Sequence, residues 1–183
     1  MTERLPQSIA TRGTRVQEAA MNQVATGEFA ALAPGAGQSV WFMGTLMTVK
    51  VGAAQTGGAY MVGEWLLPPG FGPPPHIHHD DDETLYILEG ELSGFCGEQV
   101  WRGGAGTFVL LPRGLPHGFR VEGATPARVL QLGNGSGFER FIAEAGAPAQ
   151  TLTLPPPPGE AEIARMLAAA PKYAIEVLPL PAG

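Results

Sequence analysis

Three histidines and one glutamate have the residue types and spacing of a metal site. His76 and His78 are separated by one residue, so their side chains point the same way if the backbone is extended. Glu83 follows after a short acidic loop, which allows the chain to bend and return a carboxylate to both imidazoles. His117, after a proline-bounded turn, offers a third imidazole. These nitrogen and oxygen donors suit a borderline divalent metal such as Fe, Mn, Ni or Zn.

The number of donors favours a reactive site over a structural one. Three imidazoles and one carboxylate fill four positions of an octahedron and leave two positions for substrate, water or dioxygen. Structural metal sites are usually closed, so an open site favours chemistry. Glu83 is the one donor of the four that readily accepts a proton. If it detaches from the metal, it could act as a general base on a metal-bound hydroxyl.

Neighbouring polar residues have simpler interpretations. His79 directly follows His78, so on a strand it faces away, and we predict a rim residue unless the backbone bulges there. Asp80–Asp82 could be a hard-cation site, but three consecutive carboxylates cannot all face one ion without strain. We therefore interpret them as a solvated loop.

Composition narrows the class of protein and its partners. At 183 residues one domain is expected, and 26 glycines with 18 prolines favour short strands joined by turns. The net charge of -6 argues against a nucleic-acid partner, and one cysteine cannot form an intrachain disulfide. No apolar run approaches the roughly 20 residues that span a bilayer. We expect a cytoplasmic protein with a small-molecule substrate and no membrane partner.

Periodicity divides the chain into three parts. Residues 1–36 are predicted to form an N-terminal arm, which either carries a helix around Val16–Val24 or is disordered. Residues 37–135 contain about ten short strands, which indicates a closed or double-sheet antiparallel β fold. Within them, Gly90 is predicted to be the turn of a hairpin, and Thr107–Leu111 a fully buried strand. Four aromatic residues of this region are predicted to be core residues, although any of them could line a pocket: Tyr60, Trp65, Tyr86 and Phe119.

Residues 136–183 are predicted to form two helices and a tail that pack on the barrel. Ser136 and Glu139 have the spacing of a capping box for the first helix. The apolar stripe of that helix contains Phe138, Phe141, Ile142 and Ala145, and the stripe of the second contains Ile163, Met166, Leu167 and Ala170. The segment Tyr173–Leu178 is predicted to be extended. We expect a homodimer, because low charge, the apolar strand Val40–Met43 and these wide stripes leave much apolar surface.

The two histidine-bearing segments resemble the two sequence motifs of the cupins. In the second motif Val121 stands where an asparagine is expected, and that asparagine is not a metal ligand in the family. The resemblance implies an all-β fold, the double-stranded β-helix or jelly-roll barrel. It also implies that His76, His78, Glu83 and His117 are the four metal ligands. The matching positions are Gly70, His76, His78, Glu83 and Gly90 in the first motif, and Gly106, Pro112, Gly114 and His117 in the second.

Among cupins the chain is most similar to small single-barrel proteins related to quercetin 2,3-dioxygenase. This resemblance implies a metal-dependent dioxygenase acting on a flavonol or another enolisable aromatic molecule, with Glu83 as the proposed base. The alternative is a cupin that binds metal and a small molecule without oxidative chemistry, or an isomerase or lyase. Fold alone does not decide between them. The segments that carry the resemblance are Pro74–His79, Gly90–Leu92 and Gly137–Phe141.

Overall fold

A computed structural model describes Gly27 and residues 29–179, and within them twelve strands, three α-helices and one 3-10 turn. The helix predicted around Val16–Val24 lies outside the described residues. The strands are β1 Gln38–Phe42, β2 Thr45–Val51, β3 Met61–Leu67, β4 His76–His78, β5 Glu83–Glu89, β6 Glu91–Cys96, β7 Gln99–Gly104, β8 Phe108–Leu111, β9 His117–Val121, β10 Ala127–Gly133, β11 Ala147–Pro148 and β12 Ile175–Val177. The helices are α1 Ala53–Thr56, α2 Phe138–Ala145 and α3 Glu160–Ala169, and the 3-10 turn is Ala170–Tyr173.

The strands form two antiparallel sheets. The larger sheet has the order β11-β1-β2-β3-β10-β5-β8, and the smaller sheet has the order β12-β4-β9-β6-β7. The chain crosses between the sheets several times, as in a jelly roll. The predicted all-β double-stranded β-helix with short C-terminal helices is therefore confirmed.

Alternation along the strands places one face of each in the core. In β3 the buried positions are Met61, Gly63, Trp65 and Leu67, and the residues between them are half-buried. In β10, which lies between β3 and β5, Val129 and Gln131 share the buried face. A polar glutamine therefore sits among apolar neighbours at the centre of the larger sheet.

Gly90 is a corner between the two sheets, and the hairpin prediction was wrong. β5 pairs with β10 and β8, whereas β6 pairs with β7 and β9. Gly90 has a φ of +84°, and a Cβ built on it would lie 2.9 Å from the Cα of Ala127. A glycine with positive φ suits a hairpin turn and a corner equally well, so the residue type did not distinguish them.

The uncovered outer face of the larger sheet explains two further corrections. Thr107–Leu111 was predicted to be a buried strand, but Phe108 and Leu110 are 63% and 54% exposed. The reason is that exposed and buried residues alternate along β8, so the strand is covered on one face only. Tyr86, directly opposite Phe108, lies on the same uncovered face, and Tyr60 is exposed just before β3, so neither is a core residue.

The C-terminal helices are present, with differences from the predicted caps and stripes. Glu139 accepts a hydrogen bond from the backbone N–H of Ala53 at 3.1 Å, and Gly137 holds the N-cap position without a side-chain bond, so the capping box was wrong. In the predicted stripe of α2, Phe141, Ile142 and Ala145 are buried and Phe138 is half-buried. In the second predicted stripe, Met166 and Ala170 are buried, but Ile163 and Leu167 are exposed, because α3 packs through Met166 and Ala169.

The last described strand, β12, supports β4, the strand that carries His76 and His78. β12 pairs with β4, with Ile175 opposite His78 and Val177 opposite His76, so the predicted extended segment is confirmed over Ile175–Val177, while Tyr173 belongs to the 3-10 turn. At the other end of the fold, Val40 is buried because β1 pairs with both β2 and β11. No helix within the described part of the chain has the length and apolar character needed to cross a bilayer.

Candidate metal centre

The four predicted donors come from three strands that meet at one place. His76 and His78 begin and end β4, Glu83 begins β5, and His117 begins β9. His76 and His117 are cross-strand partners in the smaller sheet. Glu83 reaches them from the larger sheet, so the site lies between the two sheets. The structure thus brings together all four residues named from the sequence.

The distances within this cluster are those of a compact donor set. Single donor atoms of His76, His78, Glu83 and His117 all lie within 4.8 Å of one another. Oε2 of Glu83 is 3.4 Å from Nε2 of His117 and 3.9 Å from Nε2 of His78. The rings of His78 and His117 are nearly parallel, at 10° and 5.4 Å between centroids. One ion could therefore contact all four side chains.

Backbone carbonyls orient two of the imidazoles. Nδ1 of His76 lies 2.9 Å from the carbonyl oxygen of Pro74, and Nδ1 of His117 lies 2.9 Å from that of Leu115. A carbonyl only accepts, so each Nδ1 carries the proton and each Nε2 keeps a lone pair. This arrangement is typical of metal-ligating histidines.

Two buried polar atoms at the centre of the cluster have no hydrogen-bond partner among the described residues. They are Oε2 of Glu83 and Nε2 of His117, which face each other. Buried polar atoms are rarely unpartnered without a reason such as an ion. Together with the imidazole and carboxylate donor set, this pair fits a divalent transition metal.

The protonation of the cluster also suits a cation. Burial lowers the pKa of His78 to about 4 and also lowers the pKa of His76, so both are neutral near pH 7. Burial alone would raise the pKa of Glu83, but the three nearby imidazoles hold it below its ordinary value. The carboxylate in turn outweighs burial and raises the pKa of His117. The site thus holds a carboxylate that attracts positive charge.

The residues around the cluster only partly follow their predictions. His79 is an exposed rim residue as predicted, and its ring nitrogen lies 3.0 Å from Glu176. In the acidic loop, Asp82 is half-buried and pairs with Arg113 at 2.7 Å. Asp81, however, is buried and accepts a hydrogen bond from the backbone N–H of Asn134 at 2.9 Å. The solvated-loop interpretation was therefore wrong for Asp81, whose carboxylate ties the loop to the end of β10.

An apolar pocket lies against the cluster. Among the described residues that line it, the ionisable ones are His76, His78 and Glu83, and none is lysine or arginine. Trp65 and Phe119, which were left open as core or pocket residues, both line this pocket. Other large side chains in its wall are Phe42, Met43, Phe71, Phe138, Phe141 and Met166.

Sequence reasoning missed one residue that contacts the cluster directly. Nε2 of Gln131 donates a hydrogen bond to Oε1 of Glu83 at 2.9 Å, and both side chains are buried. The available signal was the position of Gln131 in β10, where alternation places it on the same face as Val129. A polar residue at an inward position of an apolar strand normally has a buried partner.

Comparison with known proteins agrees with the fold. Residues 63–133 match the family model described as Cupin domain. Among curated proteins, none matches the chain. The fold and site define a jelly-roll protein with a cluster of three histidines and a glutamate that could hold a metal ion. The chain contains a cupin domain in residues 63–133.

Solved structures show more distant similarity. The protein TT1209 from Thermus thermophilus is 33% identical, with 42% of this chain and 72% of that chain covered and a TM-score of 0.39. A predicted oxalate decarboxylase from Thermotoga maritima is 22% identical, with coverages of 49% and 79% and a TM-score of 0.47. A sugar phosphate isomerase from Silicibacter pomeroyi is 23% identical, with coverages of 50% and 59% and a TM-score of 0.43. These similarities do not indicate an activity.

Proposed function

We propose that the protein is a metal-dependent dioxygenase of the quercetinase type, acting on a flavonol or another enolisable aromatic small molecule. The ligands in this proposal are His76, His78, Glu83 and His117. The observation that carries it is the pocket beside them, whose wall is aromatic and aliphatic. Such a wall stabilises an apolar ring system next to the donor cluster.

The charge of the pocket bears on the substrate class. A carboxylate or phosphate substrate normally meets arginine or lysine, which neutralise its charge. The described lining residues include neither, and their one carboxylate is Glu83. An anion in this pocket would lose its hydration without a cationic side chain to replace it. A neutral aromatic hydroxyl compound fits the wall better.

The residues of the chain would divide the work as follows. A bound Fe, Ni or Mn ion would supply Lewis acidity and a means of using dioxygen. Glu83, ionised at neutral pH, would accept the proton of a substrate hydroxyl through Oε2 when it detaches from the metal, since Gln131 already occupies Oε1. Phe71 and Phe119, whose ring centroids are 6.3 Å apart, would hold the aromatic rings of the substrate. The apolar wall would exclude water from the reacting atoms.

The test is oxygen uptake by protein loaded separately with Fe, Mn, Ni or Zn. We expect consumption of dioxygen with at least one flavonol or enediol and a redox-capable metal, and none with oxalate as an anionic control. Protein that binds these metals but consumes no dioxygen with any aromatic substrate would contradict the proposal. That result would favour the non-oxidative alternative, in which the same pocket binds a small molecule.

A further inference from the structure

Two buried hydrogen bonds connect the pocket wall to Glu83. Nε1 of Trp65 donates to Oε1 of Gln131 at 2.6 Å, and Nε2 of Gln131 donates to Oε1 of Glu83 at 2.9 Å. All three side chains are buried, with exposed fractions of 9%, 0% and 5%. Hydrogen bonds in such a low-dielectric region are stronger than in water, and leaving one unmade is costly.

The sheet itself sets the spacing of these residues. Trp65 lies on β3, Gln131 on β10 and Glu83 on β5, which are three adjacent strands. Trp65 pairs with Val129, two residues before Gln131, and Gln131 pairs with Leu85, two residues after Glu83. The three side chains therefore lie on one diagonal of the inward face. Strand register holds that diagonal without any contribution from a loop.

The indole of Trp65 determines which way the amide of Gln131 points. An indole N–H can only donate, so it requires the amide oxygen. The amide NH₂ is then directed at Glu83, which must accept. If the amide turned over, the indole N–H would lose its acceptor and the amide oxygen would face a carboxylate oxygen. Both changes are unfavourable in a buried site.

We propose that Trp65 and Gln131 are positioning residues that reserve Oε1 of Glu83 for a hydrogen bond and direct Oε2 at His78 and His117. This inference rests on the metal centre proposed above. It predicts that Glu83 binds metal through one oxygen, and that Trp65 acts through Gln131. Because the ring of Trp65 also lines the pocket, the pocket wall and the carboxylate are joined by the same two bonds.

The expected effects follow from this order of action. Gln131→Met keeps a side chain of similar length but removes the bond to Glu83, and we expect Zn²⁺ affinity to fall about 10–100-fold. Trp65→Phe keeps an aromatic ring but lets the amide turn, so a smaller loss is expected. In the double variant the second change should add nothing, since Trp65 has no effect once Gln131 is absent.

The experiment is calorimetric titration with Zn²⁺ alone, combined with NMR of the three tryptophan indole N–H groups. Zn²⁺ is diamagnetic, so shifts report structure. Trp65→Phe assigns one signal by its loss, and that signal should move when wild type binds Zn²⁺. Trp101→Phe is the matched control, because the Trp101 indole nitrogen has no hydrogen-bond partner among the described residues. Its affinity for Zn²⁺ should match wild type.

The outcomes separate this inference from the proposed metal centre. If wild type binds no Zn²⁺, the metal centre itself is wrong. The relay, by which we mean the hydrogen bonds from Trp65 through Gln131 to Glu83, is then wrong as well. If wild type binds Zn²⁺ but both single variants match it, or if their losses add in the double variant, the relay is overturned while the centre stands. Should Gln131→Met fail to fold, Trp65→Phe and the indole shift still decide. A Trp65 indole signal that does not shift when Zn²⁺ binds would also overturn the relay.

Discussion

His76 and His117 are direct cross-strand partners on β4 and β9, with ring centroids 4.4 Å apart. Each comes from a different one of the two sequence motifs, and each is oriented by the carbonyl two residues before it. Two imidazoles this close in a buried position repel each other when both are protonated, and they are stabilised by a shared cation. The backbone of the smaller sheet thus prepares the site before any ion arrives.

The corner at Gly90 predicts a difference between two glycines with positive φ. Alanine at either Gly90 or Gly97 costs about 1–2 kcal/mol, because L residues disfavour this conformation. At Gly90 the new Cβ would also meet Ala127 at 2.9 Å, whereas at Gly97 it would meet nothing within 4 Å. We therefore expect Gly90→Ala to lower the free energy of unfolding by about 1–3 kcal/mol more than Gly97→Ala. Urea unfolding measures both, and equal losses would contradict the corner geometry.

Burial of His78 predicts acid sensitivity of the metal-free protein. The pKa of His78 is lowered to about 4, against about 6.5 for an unfolded histidine. Between these pH values the unfolded chain binds a proton that the folded chain does not, so stability falls as pH falls. His76 acts in the same direction. His117, whose pKa is raised, does not make stability depend on pH below 6.5, because it is protonated there in both the folded and the unfolded state.

The measurement is urea unfolding of chelator-treated protein at several pH values from 7 to 4. One pKa unit corresponds to about 1.4 kcal/mol, so His78 contributes a loss of up to roughly 3 kcal/mol. His78→Gln should flatten the pH dependence. If the free energy of unfolding of His78→Gln falls with pH as steeply as that of wild type, burial of this imidazole does not determine the acid sensitivity.

Glu83→Gln separates the ligand role of this residue from its role as a base. Glutamine keeps the length and one coordinating oxygen but has no useful basicity. Under the dioxygenase proposal the variant should retain a measurable share of metal, while its rate per bound metal falls by about 10²–10⁴. Oxygen uptake divided by metal content is the quantity to compare. An unchanged ratio would make Glu83 a ligand only.

Much of the site could be predicted from the sequence because its signals are local. The pair His76 and His78 depends on strand alternation, and the pattern around His117 includes turn residues that allow few conformations. Alternation along β10 marked Gln131 as inward-facing but did not identify its partner, and Asp81 carried no such local signal. Their roles depend on which strands become neighbours across the sheet, and one glutamine or aspartate does not encode its distant partner.

The fold shows the same division between local and distant information. Strand positions follow from alternation and from glycine and proline, and most were correct to within a few residues. Pairing was harder, because β5 and β6 are adjacent in sequence and yet lie in different sheets. Whether β5 and β6 pair with each other or lie in different sheets depends on the total apolar area buried between the sheets. No single turn residue specifies that area.

The oligomeric state is still a prediction. The apolar strand Val40–Met43 supports the predicted homodimer less than expected, since Val40 is buried within the fold. Exposed Phe108 and Leu110 on β8 and Leu167 on α3 now provide the apolar surface that a second copy would cover. We expect light scattering at micromolar concentration to give twice the chain mass, and deletion of residues 1–36 to weaken association. A full-length monomer would refute the homodimer.

The central claim is that His76, His78, Glu83 and His117 hold one divalent metal ion. Metal content per chain, measured by elemental analysis after loading with Fe, Mn, Ni or Zn and removal of excess, tests it most directly. We expect about one ion per chain in wild type, a sharp loss in His76→Ala and His117→Ala, and a near-wild-type value in His79→Ala. Equal loss from all three variants, or a wild-type chain that retains no metal, would contradict the claim.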